Sequence, residues 1–125
     1  MDFKERKAHV RGYLGRLVRI GIDRPIGYVH QKADRTLVYD INYGYIPNVL
    51  GGDGEELDVY LLCVDTPVKT YEGRVIAIAH RADDVEDKLV MVPDGVMLSA
   101  EEIYSQIEFQ EKYYQTKIEI CKLQK

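Results

Sequence analysis

The sequence has no tryptophan, two phenylalanines and two cysteines among its 125 residues. Two cysteines cannot build the disulfide framework on which small secreted domains rely. Cys63 falls in an apolar run and Cys121 in an alternating one, so both are expected to be packing residues. Basic residues are not in excess: 17 Lys and Arg against 21 Asp and Glu leave a formal charge of −4, which offers no general field for nucleic acid or an acidic membrane surface. No apolar run approaches the ~18 residues of a membrane span. The charged opening Met1–Lys7 leads into no hydrophobic stretch, so no signal peptide is expected. There is no P-loop, no Gly-x-Ser-x-Gly, no His-Glu-x-x-His and no Cys-x-x-Cys. The expectation is a soluble, cytoplasmic protein, one domain over residues 1–125, with neither a nucleic-acid nor a membrane partner.

What is present is 46% apolar, 30% charged and rich in tyrosine, of which there are ten. Leu17–Ile22, Thr36–Tyr39, Leu57–Val64, Arg74–His80, Lys88–Val92 and Thr116–Lys122 carry the β-branched content and alternation of strands. Asn42–Asn48 is punctuated by Gly44 and Pro47 and reads as a loop with a short extended entry. Ser99 with Glu102 three residues on forms a capping box, and Ile103, Ile107 and Tyr114 share a face, so a helix is expected from Ala100 to about Tyr114. Short strands without crossover helices and one late helix predict a mainly β fold: a small OB-like closed or partly closed barrel with one C-terminal helix.

Two acidic segments stand out. Asp53-Gly54-Glu55-Glu56-Leu57-Asp58 places four carboxylates in six residues, and Asp58 lies beside residues of core character. A carboxylate there is costly unless a cation or donor compensates it, and Mg²⁺ prefers such oxygen ligands. Asp83-Asp84-Val85-Glu86-Asp87-Lys88 repeats the pattern between two strands. Taken alone, the first hexapeptide reads more simply as a solvated acidic turn. Two of them at strand ends point to a bound cation, because clustered like charge destabilises a fold. Tyr39, Tyr43 and Tyr45 precede the first cluster and could offer hydroxyls to an anion, although a lone tyrosine more simply packs its ring in the core. Arg24, His30, Lys32 and Arg35 add basic groups nearby.

Asn42-Tyr43-Gly44-Tyr45-Ile46-Pro47, then Asp53–Val59, then Glu86–Pro93 together resemble the soluble (family I) inorganic pyrophosphatases, in a short form. The likeness runs from about Leu17 to Tyr114. It implies an OB-like barrel, Mg²⁺ as cofactor, self-association, and hydrolysis of pyrophosphate to two phosphates by a metal-activated water. By residue, it implies metal ligation by Asp53, Asp58, Glu86 and one of Asp83 or Asp84. Glu55 and Asp58 are implied as the catalytic carboxylates, with Glu55 as base. Phosphate binding is implied for Lys88, Tyr43, Tyr39 and Tyr113, with Arg24 or Arg35 standing in for an arginine at whose spacing this chain has Gln31. Arg19–Ile22 stands where a phosphate-binding Lys and a Glu are expected, Glu55 where an Asp is expected, and Tyr114 where a Lys is expected. Two alternatives stay open: hydrolysis of another phosphoanhydride, such as a nucleotide or polyphosphate, and a non-catalytic barrel that binds an anion or a protein.

Overall fold

A computed structural model describes residues 2–84 and 86–122. Ten elements follow one another: α1 (Phe3–Arg11), β1 (Leu17–Arg24), β2 (Val29–Gln31), β3 (Thr36–Val38), β4 (Asn42–Leu50), β5 (Glu56–Leu61), β6 (Thr70–Arg81), β7 (Lys88–Val92), α2 (Ala100–Glu111) and β8 (Thr116–Ile120). Strands run in the order β1-β4-β5-β7-β6, and β6 pairs back onto β1, closing a five-stranded barrel. The β6 strand manages both neighbours by its length. Its first half, Thr70–Arg74, pairs with β1, and its second half, Ala77–Arg81, pairs with β8. The pair β5–β7 is parallel and the other ladders are antiparallel. No helix among the described residues is long and apolar enough to cross a membrane.

The near-continuous apolar strands are explained by burial on both faces. Successive residues alternate between two clusters. Val59, Leu61, Leu89 and Met91 join one with Val10 of α1, and Tyr60, Leu62, Val90 and Val92 join the other with Ile103 and Ile107 of α2. The α2 capping box forms as expected, with Ser99 Oγ accepting from the Glu102 amide and Glu102 Oε1 accepting from the Ser99 amide.

Four sequence expectations are corrected. The segment 42–48 is not a loop: it opens β4, pairing through Tyr43 and Gly44 with Tyr60 and Val59. Gly44 permits this because a Cβ there would run into the Gly21 carbonyl of β1. Pro47 falls where the β4–β5 register shifts between Tyr45 and Leu50, so its missing N–H breaks no ladder bond. The second correction is α1, a helix additional to the one expected. It is capped by Asp2 and Glu5, and its buried residues are Arg6, Lys7 and Val10. The third is the short β2–β3 hairpin, of which only the second strand was legible. The fourth is Cys63, which is exposed and has a left-handed backbone (φ 65°) rather than packing in the core.

Candidate active site

One end of the barrel, where β1 and β6 finish and β5 and β7 begin, opens into a cleft of about 380 Å³. Loops and strand ends are the natural place for such a site, because the ladder holds the backbone while side chains project past it. The turn after β4 supplies Asp53 and Glu55, β5 supplies Asp58, and the β6–β7 connection supplies Asp84 and Glu86. The same cleft is lined by Arg24 from the end of β1, His30 and Lys32 from the β2–β3 hairpin, Arg81 from the end of β6 and Lys88 from the start of β7. The cleft is thus lined by acids and cations together, drawn from seven strands, turns and connections.

Contacts within the cleft are charge-assisted. The β5–β7 register, with Val59 opposite Leu89, brings Asp58 beside Lys88, and Lys88 Nζ donates to Asp58 Oδ2 at 2.7 Å. Lys88 Nζ also donates to Glu86 Oε1. Its ammonium and the Arg24 guanidinium each lie over the Tyr43 ring, 5.4 Å from the centroid. Burial, with Asp58 and Glu86 close by, pushes the Tyr43 phenol well above its ordinary value, so it stays protonated as a donor.

Glu86 and Asp53 behave as a pair. Burial and a hydrogen bond to Asp53 push the Glu86 carboxyl up to about 7, against the opposing pull of Lys88. The same bond from Glu86 holds Asp53 below the ordinary carboxylate range. One carboxyl raised beside another that is lowered is the mark of negative charge crowded without enough cation. Asp23, at the end of β1, is raised by desolvation and by Asp58. Around the β2–β3 hairpin, burial and the cations Arg35, Arg81, Arg24 and Lys88 push Lys32 down, and burial with Arg24 and Lys32 pushes His30 down. Positive potential on that side favours an anion there.

The structure brings Arg24, Tyr43, Asp53, Glu55, Asp58, Glu86 and Lys88 to one cleft. Tyr39 lies just beneath it, fully buried, with its hydroxyl accepting from Arg24 Nη1 at 2.6 Å. Asp83 and Tyr113 are not among the lining residues; Asp84 and Tyr114 are. Asp83 Oδ1 accepts from the Gln115 amide, and Tyr113 is exposed with the Arg35 guanidinium 3.9 Å over its ring. Asp87, from the same acidic run, is turned away from the cleft into a buried cluster with Arg6 and Lys7.

Sequence reasoning missed Arg81, Glu111 and Gln110. Arg81 is 2% exposed and forks onto Glu111, which is fully buried although it sits on a helix that reads as amphipathic. Burial alone would raise the Glu111 carboxyl, but Arg81, Thr116 and Tyr60 outweigh it and hold it below the ordinary range. The one available signal was spacing: Glu111 falls four residues after Ile107, on the buried face of α2.

A family model described as inorganic pyrophosphatase matches residues 19–120. The chain belongs to the inorganic pyrophosphatase family. It is 28% identical over 97 residues to inorganic pyrophosphatase 2 of Pseudomonas syringae pv. tomato, an alignment covering 73% of this chain and 52% of that protein. It is 49% identical over 57 residues to the inorganic pyrophosphatase of Neisseria meningitidis, covering 42% of this chain and 32% of that one. The chain therefore spans about half the length of the first relative and a third of the second. Among solved structures, the inorganic pyrophosphatase from Neisseria gonorrhoeae superposes with a TM-score of 0.57 at 27% identity, covering 79% of this chain and 74% of that one. The enzyme from Ehrlichia chaffeensis gives a TM-score of 0.63 at 17% identity, covering 86% and 88%, and shares the fold.

Membership of this family raises the question of a divalent cation, which the donor set can be tested against. Asp53, Asp58 and Glu86 offer carboxylate oxygens, the ligands a hard cation prefers, and the raised Glu86 carboxyl marks where positive charge is short. Among the described residues, no group of three or more His, Cys, Asp or Glu side chains is arranged to hold a metal ion. Lys88 stands among the acids instead, bonded to both Asp58 and Glu86. By donor chemistry, Asp53, Asp58 and Glu86 are the residues of this cleft that would hold a hard cation.

Proposed function

We propose that this chain hydrolyses inorganic pyrophosphate to two phosphates, with Mg²⁺ as the supporting cation. The observation that carries the reading is the cleft itself, which gathers the acids Asp53, Glu55, Asp58 and Glu86 with the cations Arg24, Lys32, Arg81 and Lys88. A polyanion held beside carboxylates with the help of a cation would need both kinds of charge, and neither alone would recognise it.

In this reading Asp53, Asp58 and Glu86 would hold the cation. When bound, Mg²⁺ would neutralise phosphoryl oxygens and acidify the attacking water. The water oxygen bonds to one phosphorus while the bridging oxygen leaves with the other phosphate. Glu55, exposed at the mouth of the cleft, accepts the proton that the water gives up. Lys88 and Arg24 steady charge on the phosphoryl oxygens, and Tyr43, protonated and between them, donates a hydrogen bond. Family membership supports pyrophosphate as the substrate. The test is phosphate release from pyrophosphate with and without Mg²⁺, with tripolyphosphate and a nucleoside triphosphate in parallel. Mg²⁺-dependent release from pyrophosphate in preference to the others is expected. Preference for a longer phosphoanhydride would overturn the substrate assignment, and no release from any would overturn the enzyme reading.

A further inference from the structure

Beneath the cleft, buried polar groups form one continuous path between two of its cations. Arg24 Nη1 donates to Tyr39 Oη at 2.6 Å, and Tyr39 Oη donates to Gln110 Oε1 at 2.5 Å. Gln110 Nε2 donates to Tyr60 Oη at 2.7 Å, and Tyr60 Oη donates to Glu111 Oε2 at 2.6 Å. Glu111 then receives Arg81 through two bonds, Nε to Oε1 at 3.1 Å and Nη2 to Oε2 at 2.7 Å. Tyr39, Tyr60 and Glu111 have no exposed surface, and Gln110 is 4% exposed.

An apolar floor would pack as well, at no risk of an unsatisfied group. What a polar floor adds is orientation. Each hydroxyl proton has one direction, because the amide of Gln110 donates to Tyr60 and the Tyr60 proton must then go to Glu111. Both oxygens of Glu111 grip the Arg81 fork, and the Tyr114 ring lies 3.7 Å from the guanidinium, so its plane is fixed from two sides. Arg81 Nη1 is left to face the cleft, where it meets Asp84 Oδ2 at 2.9 Å. At the other end, Arg24 is tied to the Tyr39 hydroxyl by the single bond from Nη1.

We propose that Arg81 is an anion-binding residue of the cleft, paired with Arg24 across it, and that Gln110, Tyr60 and Glu111 are positioning residues that set the two guanidinium groups for the phosphoryl oxygens of the substrate. This rests on the phosphoanhydride reading above for the identity of the anion. It assigns binding to Arg81, at the end of β6, and a purpose to a network no packing requirement explains.

Tyr60→Phe keeps the ring and deletes the hydroxyl at the centre of the path; Gln110→Met breaks the same path one step away, should the first variant fail to fold. Three readouts are taken on each, with melting temperature as the folding control: KM for pyrophosphate, kcat, and calorimetric affinity for inorganic phosphate. KM is expected to rise about tenfold and phosphate affinity to fall in step, with kcat within about twofold, since the lost interaction is made with bound anion before and during reaction. Arg81→Lys, which keeps charge but loses the fork, is expected to do the same. A folded Tyr60→Phe or Gln110→Met protein with unchanged KM and phosphate affinity, whatever its melting temperature, would overturn the proposal. If the wild-type protein binds phosphate more tightly than Tyr60→Phe yet releases none from pyrophosphate, the hydrolase reading fails and the positioning role stands. If it neither binds phosphate nor hydrolyses pyrophosphate, both fall.

Discussion

Arg6 and Asp87, 81 positions apart, meet as a buried fork: Nε lies 3.1 Å from Oδ2 and Nη2 lies 3.4 Å from Oδ1. Arg6 also donates to the carbonyls of Asp84 and Arg81, and Lys7 Nζ adds a bond to Asp87 Oδ1 at 2.9 Å. Helix α1 is thereby fastened to the back of the connection whose front carries Glu86 and Lys88. Asp87→Ala removes the common partner and leaves two buried cations uncompensated, which is expected to cost about 3–5 kcal/mol in urea denaturation. A loss below about 1 kcal/mol would mean that α1 does not brace the connection.

Gly44 and Gly21 let β4 and β1 approach more closely than any side chain allows. A Cβ on Gly21 would come within 2.7 Å of the Tyr45 ring, and one on Gly44 would strike the Gly21 carbonyl. Gly44→Ala must therefore spread the strands that carry Tyr43 and Arg24, and about 1–3 kcal/mol of destabilisation is expected. Equal stability of the variant and wild type in thermal melts would show that the barrel closes without this approach.

Glu111 makes stability depend on acid. Its carboxyl is held below the ordinary value of 4.5 by Arg81, Thr116 and Tyr60 in spite of burial. The unfolded chain therefore takes up the proton first, so the stabilisation is complete above about pH 4.5 and is lost as pH falls through the lower folded value. Melting temperature measured between about pH 3 and 7 should fall on the acid side, and Glu111→Gln, less stable at neutral pH, should show a shallower fall. Parallel curves for the two proteins would remove Glu111 from the account.

Where burial was apolar, the elements were legible. Lys88–Val92 is a strand at the residues its β-branched run suggests, and the Ser99–Glu102 box marks the start of α2. Helix α1 escaped because its buried face is built from Arg6 and Lys7 alongside Val10, which gives no hydrophobic periodicity; only a distant Asp87 makes those cations core residues. Segment 42–48 escaped for a related reason. Gly44 and Pro47 punctuate most chains as turns, whereas here one serves a close approach and the other a register shift. Of the acidic runs, Asp53 and Asp58 face the cleft, but the second run divides: Glu86 faces in, while Asp83 and Asp87 serve local structure. Composition shows where charge is concentrated along the chain, and only the fold distributes it between site and scaffold.

Asp58 links the acids of the cleft to its cations through its 2.7 Å bond with Lys88, so it is where the proposed chemistry is most exposed to a single change. The direct measurement is the rate of phosphate release from pyrophosphate at saturating Mg²⁺ for wild type and Asp58→Asn. The account predicts Mg²⁺-dependent release by wild type and a loss of about 100-fold or more in the variant, with the fold retained. Equal rates in the two proteins, or no Mg²⁺-dependent release by wild type, would contradict it.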